Sequence, residues 1–299
     1  MSWRIHSRLI NPKSKNFPWD SHASIPTVLN LKKNLFRIFY SPRNKNKSYV
    51  SYFDIDMKKF EKSENCIINF SKEPILIPGH TGDDTGIMPS QAKFRGDKVL
   101  LTTCCWQKTS FYPYTQKIYC FEFDSEFSKI LNQMELDDKY DCEYYRTNPF
   151  DYTDEKFAIK SWVSGIKWVK KNNNFSSIYT IKMELYDKKN DKYSFYKLPL
   201  GKFCAICRPL IYKENEKKFV LYFSARKRKN DYKIYSLNFY PNKFFSTPEL
   251  ILSPNLEKKW CNIMVEYPFV FNFNKKKYML FCGNEFGGTG IGIAVYDSN

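Results

Sequence analysis

One pattern of apolar and polar positions recurs five times along the chain. The segments read SIPTVLNLKKNLFRIFYSPR, IMPSQAKFRGDKVLLTTCCW, TNPFDYTDEKFAIKSWVSGI, CRPLIYKENEKKFVLYFSAR and EYPFVFNFNKKKYMLFCGNE. They align on Pro26, Pro89, Pro149, Pro209 and Pro268, spaced 63, 60, 60 and 59 residues apart. Fifteen residues after each proline stands a small residue: Ser41, Cys104, Ser164, Ser224 and Gly283. Each segment predicts a short apolar strand, a polar turn and a second, alternating strand.

A third strand follows each segment: YVSYFDID, KIYCFEFD, SIYTIKMELYD, KIYSLNFY and GIGIAVYD. A fourth follows the first four, around CIINFSKEPILIP, KILNQMEL, YSFYKLPL and TPELILSP. The fifth repeat has none before Asn299, but SRLINP near the N-terminus resembles ELILSP and EPILIP. The N-terminal segment is therefore expected to complete the last unit, which removes the open edges of a linear array. Residues 1–299 are expected to form a single all-β domain, a five-bladed β-propeller closed by its N-terminal strand. A solenoid would lack that exchange of the first strand. Helix signals are weak throughout.

Composition supports strands. Phe, Tyr and Trp number 26, 22 and 6, and 42% of residues are hydrophobic. No run of 18 apolar residues predicts a membrane-spanning helix, and the first residues have no apolar stretch of a secretory signal. Nine Cys are irregularly spaced, with Cys204 and Cys207 the only CxxC, so they read as free thiols rather than a zinc site. Free thiols and no signal point to the cytoplasm. The net charge of +17 suits an acidic substrate or an anionic membrane surface. No nucleic-acid motif appears, so nucleic acid is not expected as a partner. Abundant Asn, Ile, Phe and Tyr match AT-rich coding, which also inflates Lys, and many lysines fall in turns.

In a propeller the innermost strand of each blade lines the central channel, so residues just before the five prolines should share one funnel. Blade one offers Asp20, Ser21 and His22; blade two Asp83 and Asp84; blade three Glu143, Arg146 and Asn148; blade four Arg208; blade five Glu266. The second strands end near the same mouth with Arg43, Trp106, Trp168, Arg226, Asn284 and Glu285. Glycoside cleavage needs one carboxyl to protonate the leaving oxygen and a second as base or nucleophile. Burial between Val265 and Tyr267 would raise the Glu266 pKa, as such an acid requires. Trp19, Trp106 and Trp168 offer flat faces for sugar rings or packing between blades. Asp83 and Asp84 equally suit turn caps before Gly86, and Arg208 suits an ion pair with Asp84 or Glu266. The glycines of GNEFGGTGIG lack the strand–turn–helix context of a phosphate loop and read as a tight turn between strands.

With these residues in view, the chain resembles the five-bladed propeller glycosidases, glycoside hydrolase families 32, 43, 62, 68 and 130. The segments FPWDSHASIP, DDTGIMPS, EYPFVF and GNEFGGTGIGIAV resemble bacterial glycosidase-like propellers associated with surface-polysaccharide biosynthesis. A related propeller occurs in the N-terminal portion of glucosamine inositolphosphorylceramide transferase-like proteins. In the fructosidase group the general acid sits in a Glu-x-Pro arrangement, which Glu266-Tyr267-Pro268 matches. Aspartates stand directly before blade prolines in that group; here Ile25, Met88, Asn148, Arg208 and Tyr267 do. The resemblance implies Glu266 as acid with Asp84 or Asp20 as partner. It implies no dedicated cofactor and leaves open a divalent cation in the channel. Substrate contacts are expected from His22, Arg43, Asp83, Trp106, Arg146, Asn148, Arg208, Arg226 and Asn284. His22, Arg146 and Arg208 also suit a phosphorylated, nucleotide-linked or carboxylated sugar, since family 130 phosphorylases hold phosphate with cationic residues. Three functions remain open: a glycosidase, phosphorylase or transglycosidase; a glycosyltransferase of surface-polysaccharide assembly; and a non-catalytic glycan-binding propeller.

Overall fold

The computed structural model describes residues 2–79, 84–111, 113–136, 146–171, 174–198, 201, 203–227, 232–241 and 247–297. Its elements are almost all strands. They run β1 (Ser2–Ile10), β2 (Ser21–Lys32), β3 (Leu35–Asn44), β4 (Lys47–Ser48), β5 (Ser51–Asp56), α1 (Met57–Glu61) and β6 (Ile67–Phe70). Next come β7 (Gly86–Arg95), β8 (Lys98–Gln107), β9 (Thr115–Phe123) and β10 (Ile130–Glu135). Then follow β11 (Arg146–Thr153), β12 (Phe157–Lys171), β13 (Asn174–Asp187) and β14 (Lys192–Leu198). The last are β15 (Ala205–Lys213), β16 (Phe219–Arg226), β17 (Tyr232–Phe239), β18 (Glu249–Leu252), β19 (Glu266–Phe273), β20 (Lys276–Cys282), α2 (Asn284–Gly287) and β21 (Ile291–Asp297).

Each repeat forms an antiparallel quartet, and the missing fourth strand of the fifth comes from the N-terminus. β1 pairs antiparallel with β21, from Ser2 opposite Asp297 to Ile10 opposite Ile291. Hydrogen bonding gives four sheets rather than five separate ones. β4 pairs with β3 on one side and, through Ser48 opposite Gly86, with β7 on the other. That bridge joins the first two quartets into one nine-stranded sheet, while the other three sheets have four strands each. No sheet closes on itself among the described residues. The proline-bearing strands lie side by side: β2 packs against β7, β7 against β11, β11 against β15, and β19 against both β15 and β2.

The prolines explain this inner layer. Proline cannot donate to a strand ladder and disfavours right-handed helical backbone at the residue before it. The inner strands respond with bulges. Pairing skips between Ser24 and Thr27, Thr147 and Phe150, Cys207 and Leu210, and Glu266 and Phe269. The residues before the prolines take left-handed backbone there, with φ of 53° at Ile25, 48° at Asn148, 56° at Arg208 and 56° at Tyr267. In β7 the skip falls one step later, between Pro89 and Gln91.

A bulge frees an N–H from its own ladder, and the neighbouring quartet takes it up. Tyr267 N–H donates to Ser224 Oγ at 2.7 Å, and Ile25 N–H to Cys282 Sγ at 3.3 Å. Asn148 N–H donates to Cys104 Sγ. Cys104 and Ser224, each fifteen positions after a proline, thus latch the bulge of the next quartet. In the fifth repeat Cys282, one position earlier than the expected Gly283, does this. Side chains add to the latch between the second and third quartets. Ser90 Oγ donates to the Pro149 carbonyl at 2.6 Å, and the Gln91 amide both accepts from Asp151 N–H and donates to its carbonyl.

Apolar cores fill the wedges between quartets. Phe36 of β3 tilts against Phe271 of β19 with centroids 5.1 Å apart. Tyr152 of β11 meets Phe219 of β16 edge-on at 5.3 Å. Leu29 and Phe39 cluster with Val99, Leu101 and Phe121 of the second quartet. Burying this many aromatic rings, each worth a few kcal/mol (~1.5–3) on leaving water, fixes the angle between sheets.

Candidate ligand-binding site

A cavity of about 490 Å³ opens where the inner strands converge. One wall is a single row of side chains running across five strands. Arg43 stands opposite Ser48, Ser48 opposite Gly86, Gly86 opposite Trp106, and Trp106 opposite Gln116. All five line the cavity. Directly paired residues share a face, so the row points one way. Gly86 is required at its centre: a Cβ there would lie 2.8 Å from Ser48 Cβ, and β4 could not approach β7. The remaining lining brings together Ile25, Met88, Asn148 and Tyr267 from before the prolines with Tyr114, Tyr179, Tyr232 and Phe286. Arg43 and Lys108 are the charged residues of the described lining, which includes no carboxylate.

Glu266 is not part of the lining. It is fully buried, and neither carboxylate oxygen has a hydrogen-bond partner. Burial pushes its pKa well above the usual carboxylate range, against a weaker pull from the Arg226 charge. Burial therefore favours the protonated, uncharged form of this carboxyl. Its electrostatic neighbours Cys207, Tyr232 and Tyr267 do line the cavity. Arg226 is half-buried with its guanidinium 5.1 Å from the Tyr232 ring centre, and its Nε has no partner.

The aspartates expected beside Glu266 sit elsewhere. Asp20 is exposed and accepts Lys45 N–H at 2.7 Å, fixing the turn between β3 and β4. Asp84 is exposed and accepts Lys108 N–H at 3.1 Å and the Thr85 hydroxyl at 2.8 Å; these bonds lower its pKa. Both cap loops at the rim, and neither lines the cavity. Asp83 and Glu143 lie outside the described residues, as do the side chains of Arg146 and Trp168.

Arg208 is 2% exposed and forms no ion pair among the described residues, contrary to the expected bridge to Asp84 or Glu266. Its guanidinium donates to the Pro89 carbonyl at 2.8 Å, the Pro26 carbonyl at 3.0 Å and Thr27 Oγ1 at 2.6 Å. Burial lowers its pKa to about 10. It ties three inner strands together below the cavity and does not line it. Asn284 is likewise occupied. Its Oδ1 accepts Ile263 and Met264 N–H at 2.9 and 3.1 Å, and its Nδ2 donates to the Lys259 carbonyl and Asn262 Oδ1. It holds the segment that leads into β19. The following glycines serve close packing, as a turn would: a Cβ on Gly290 would lie 1.8 Å from the Ile10 carbonyl oxygen. Trp19 packs, donating to Tyr40 Oη at 3.1 Å.

His22 sits at the rim with Nδ1 2.8 Å from Ser21 Oγ. Burial first, and then the positive charge of Arg43, lowers its pKa from 6.5 to about 4. The unfolded chain thus takes up a proton near pH 6.5 while the folded one stays neutral. Stability present above pH 6.5 is lost as pH falls toward 4. With partial solvent screening the loss is on the order of 1–2 kcal/mol. His22→Gln is expected to flatten that part of a melting-temperature profile between pH 7 and 4; a parallel profile would refute the assignment.

Lys108, Tyr114, Gln116 and Tyr232 were not singled out from sequence. Three of them open or precede third strands, and an antiparallel third strand begins where the second ends, at the same mouth. Reading the first residues of each third strand would have found them.

No protein-family profile matches the chain. An uncharacterized protein of Mycobacterium tuberculosis is 25% identical over the full length of both chains. Among solved structures, a glycoside hydrolase superposes with a TM-score of 0.65 at 11% identity, over 99% of this chain and 92% of its own. The α-L-arabinofuranosidase of Podospora anserina, solved with cellotriose, gives 0.61 at 8% identity, covering 99% and 97%. A levansucrase mutant of B. megaterium gives 0.63 at 10%, covering 98% and 87%. The fold is that of propeller glycoside hydrolases. At these identities the likeness is one of architecture, and the side chains above decide what the site can do.

Proposed function

We propose that the chain is a five-bladed propeller, closed through β1, whose central cavity binds an anionic sugar. One observation carries this reading: the cavity joins aromatic faces to Arg43 and Lys108, with no carboxylate in its described lining. Aromatic faces suit the apolar faces of sugar rings, and two cations suit phosphate or carboxylate. The Podospora neighbour, with its bound cellotriose, has the same architecture. Hydrolysis by two carboxylates is not favoured, because Asp20 and Asp84 cap loops at the rim. Transfer or phosphorolysis of a phosphorylated or nucleotide-linked sugar, as in surface-glycan assembly, fits better. The buried carboxyl of Glu266, its pKa raised and its neighbours Tyr232 and Tyr267 on the cavity, supports a second reading in which it donates the proton. Free thiols at the described cysteines are in keeping with a reducing cytoplasm.

The test is ligand-induced thermal stabilisation with hexose 1-phosphates, nucleotide sugars, uronic acids and neutral oligosaccharides. Anionic sugars are expected to raise the melting temperature, with about 2.7 kcal/mol of stabilisation at a hundredfold excess over Kd. Arg43→Gln should abolish the shift, and added salt should weaken it. A shift with neutral glycans alone would overturn the anionic reading.

A further inference from the structure

The far end of the wall from Arg43 carries polar groups that the fold leaves unused. Gln116 is 4% exposed and lines the cavity, yet neither its Nε2 nor its Oε1 has a hydrogen-bond partner. Trp106, directly opposite it on β8, has an unpartnered Nε1. Buried polar atoms are nearly always satisfied, because leaving one unmade forfeits its hydration. Three such atoms on two paired residues that line one cavity mark a place that a ligand completes once these side chains turn toward it.

We propose that Gln116 and Trp106 form a subsite for a vicinal diol on the sugar ring, whose anionic group points toward Arg43. The inference rests on the anionic-sugar reading above. A side-chain amide offers one acceptor and one donor side by side. Two adjacent hydroxyls match it, one donating to Oε1 and the other accepting from Nε2. The indole N–H supplies a further donor to a neighbouring oxygen. An acetamido group fits less well, since the N–H and C=O of a trans amide point in opposite directions and one side chain cannot take both. The row sets the scale. Four strand steps separate Arg43 from Gln116, roughly 19 Å along the backbone. Long side chains reach inward from both ends, so the gap suits a ring with its charged substituent.

The experiment titrates the protein with glucose, galactose and mannose 1-phosphates, their 2-, 3- and 4-deoxy analogues, and uridine monophosphate. Two adjacent deoxy positions are expected to weaken binding roughly tenfold or more. Gln116→Leu is expected to weaken the parent sugars similarly and to make those deoxy analogues bind like their parents. Without ligand the variant should melt a few degrees higher (~2–4 °C), because two unpartnered polar atoms are gone. The proposal is overturned if Gln116→Leu binds the sugar phosphates as the wild type does, or keeps the wild-type deoxy discrimination. It is also overturned if the variant loses uridine monophosphate alone, since the subsite then reads a base edge. In each of these cases the anionic-sugar reading stands. If no anionic sugar binds the wild type, both fall.

Discussion

Arg208→Ala is expected to lower the stability by about 4 kcal/mol. The guanidinium spans three inner strands, donating to the Pro26 and Pro89 carbonyls and to Thr27 Oγ1. Hydrogen bonds from a charged donor contribute ~1.5–3 kcal/mol each, and their loss strands buried acceptors. Against this stands the cost of keeping an unpaired cation out of water, which alanine relieves. The cavity left by a large, buried side chain adds to the loss. For a chain of this size the melting temperature should fall by roughly 8 °C. Arg208→Lys separates charge from geometry. It keeps the cation, but one ammonium cannot reproduce a planar fork reaching several strands. It should recover less than half of the loss. Denaturation of both variants decides the matter. If lysine restores full stability, charge rather than the three-strand bridge is what matters.

Glu266→Gln should act in the opposite direction, with an effect that depends on pH. Burial holds the folded carboxyl protonated well above its ordinary value of 4.5. Above pH 4.5 the unfolded chain releases this proton and the folded chain does not, so rising pH favours unfolding. The penalty grows by about 1.4 kcal/mol per pH unit until the folded carboxyl also ionises. Glutamine keeps the shape and removes the proton exchange. The variant should match the wild type near pH 4 and exceed its stability increasingly toward pH 7.5. Denaturant titrations at the two pH values measure this directly, and an equal difference at both would show that Glu266 is ionised when folded. The same variant tests chemistry. If Glu266 donates the proton, Glu266→Gln keeps ligand binding and loses turnover.

Much of this architecture was legible because it repeats. The blade prolines mark bulges, and two of the small residues fifteen positions on, Cys104 and Ser224, receive the freed N–H groups. Ser7–Pro12 was legible as a displaced fourth strand because its apolar spacing matched its counterparts. The bridge at β4 was not, since two residues carry no periodicity and pair through a single glycine contact. The site was harder to read for a related reason. Asp20 and Asp84 look like catalytic carboxylates in sequence, but their partners are the backbone N–H groups of Lys45 and Lys108. Arg208 looks like half of an ion pair, but two of its partners are proline carbonyls. Main-chain acceptors have no letter in the sequence, so the charged residues that serve them are mistaken for residues that serve a substrate. Gln116 escaped for the converse reason: an uncharged amide at the start of a third strand carries no charge to draw attention to it, and burial is what shows that nothing satisfies it.

The pairing of β1 with β21 also sets an order of events during synthesis. Ile10 leaves the ribosome 281 residues before its partner Ile291. At ~5–20 residues per second that delay lasts on the order of tens of seconds. The first four quartets draw on contiguous chain and can assemble as they emerge. β1 spends that whole interval as a strand with no ladder to join, presenting the kind of open edge that other chains can capture. Its alternation of exposed residues with half-buried ones, and the arginines Arg4 and Arg8 within it, keep it from being a continuous apolar ribbon while it waits. The last blade is thus the slowest to form and the first whose failure a crowded polysome would reveal.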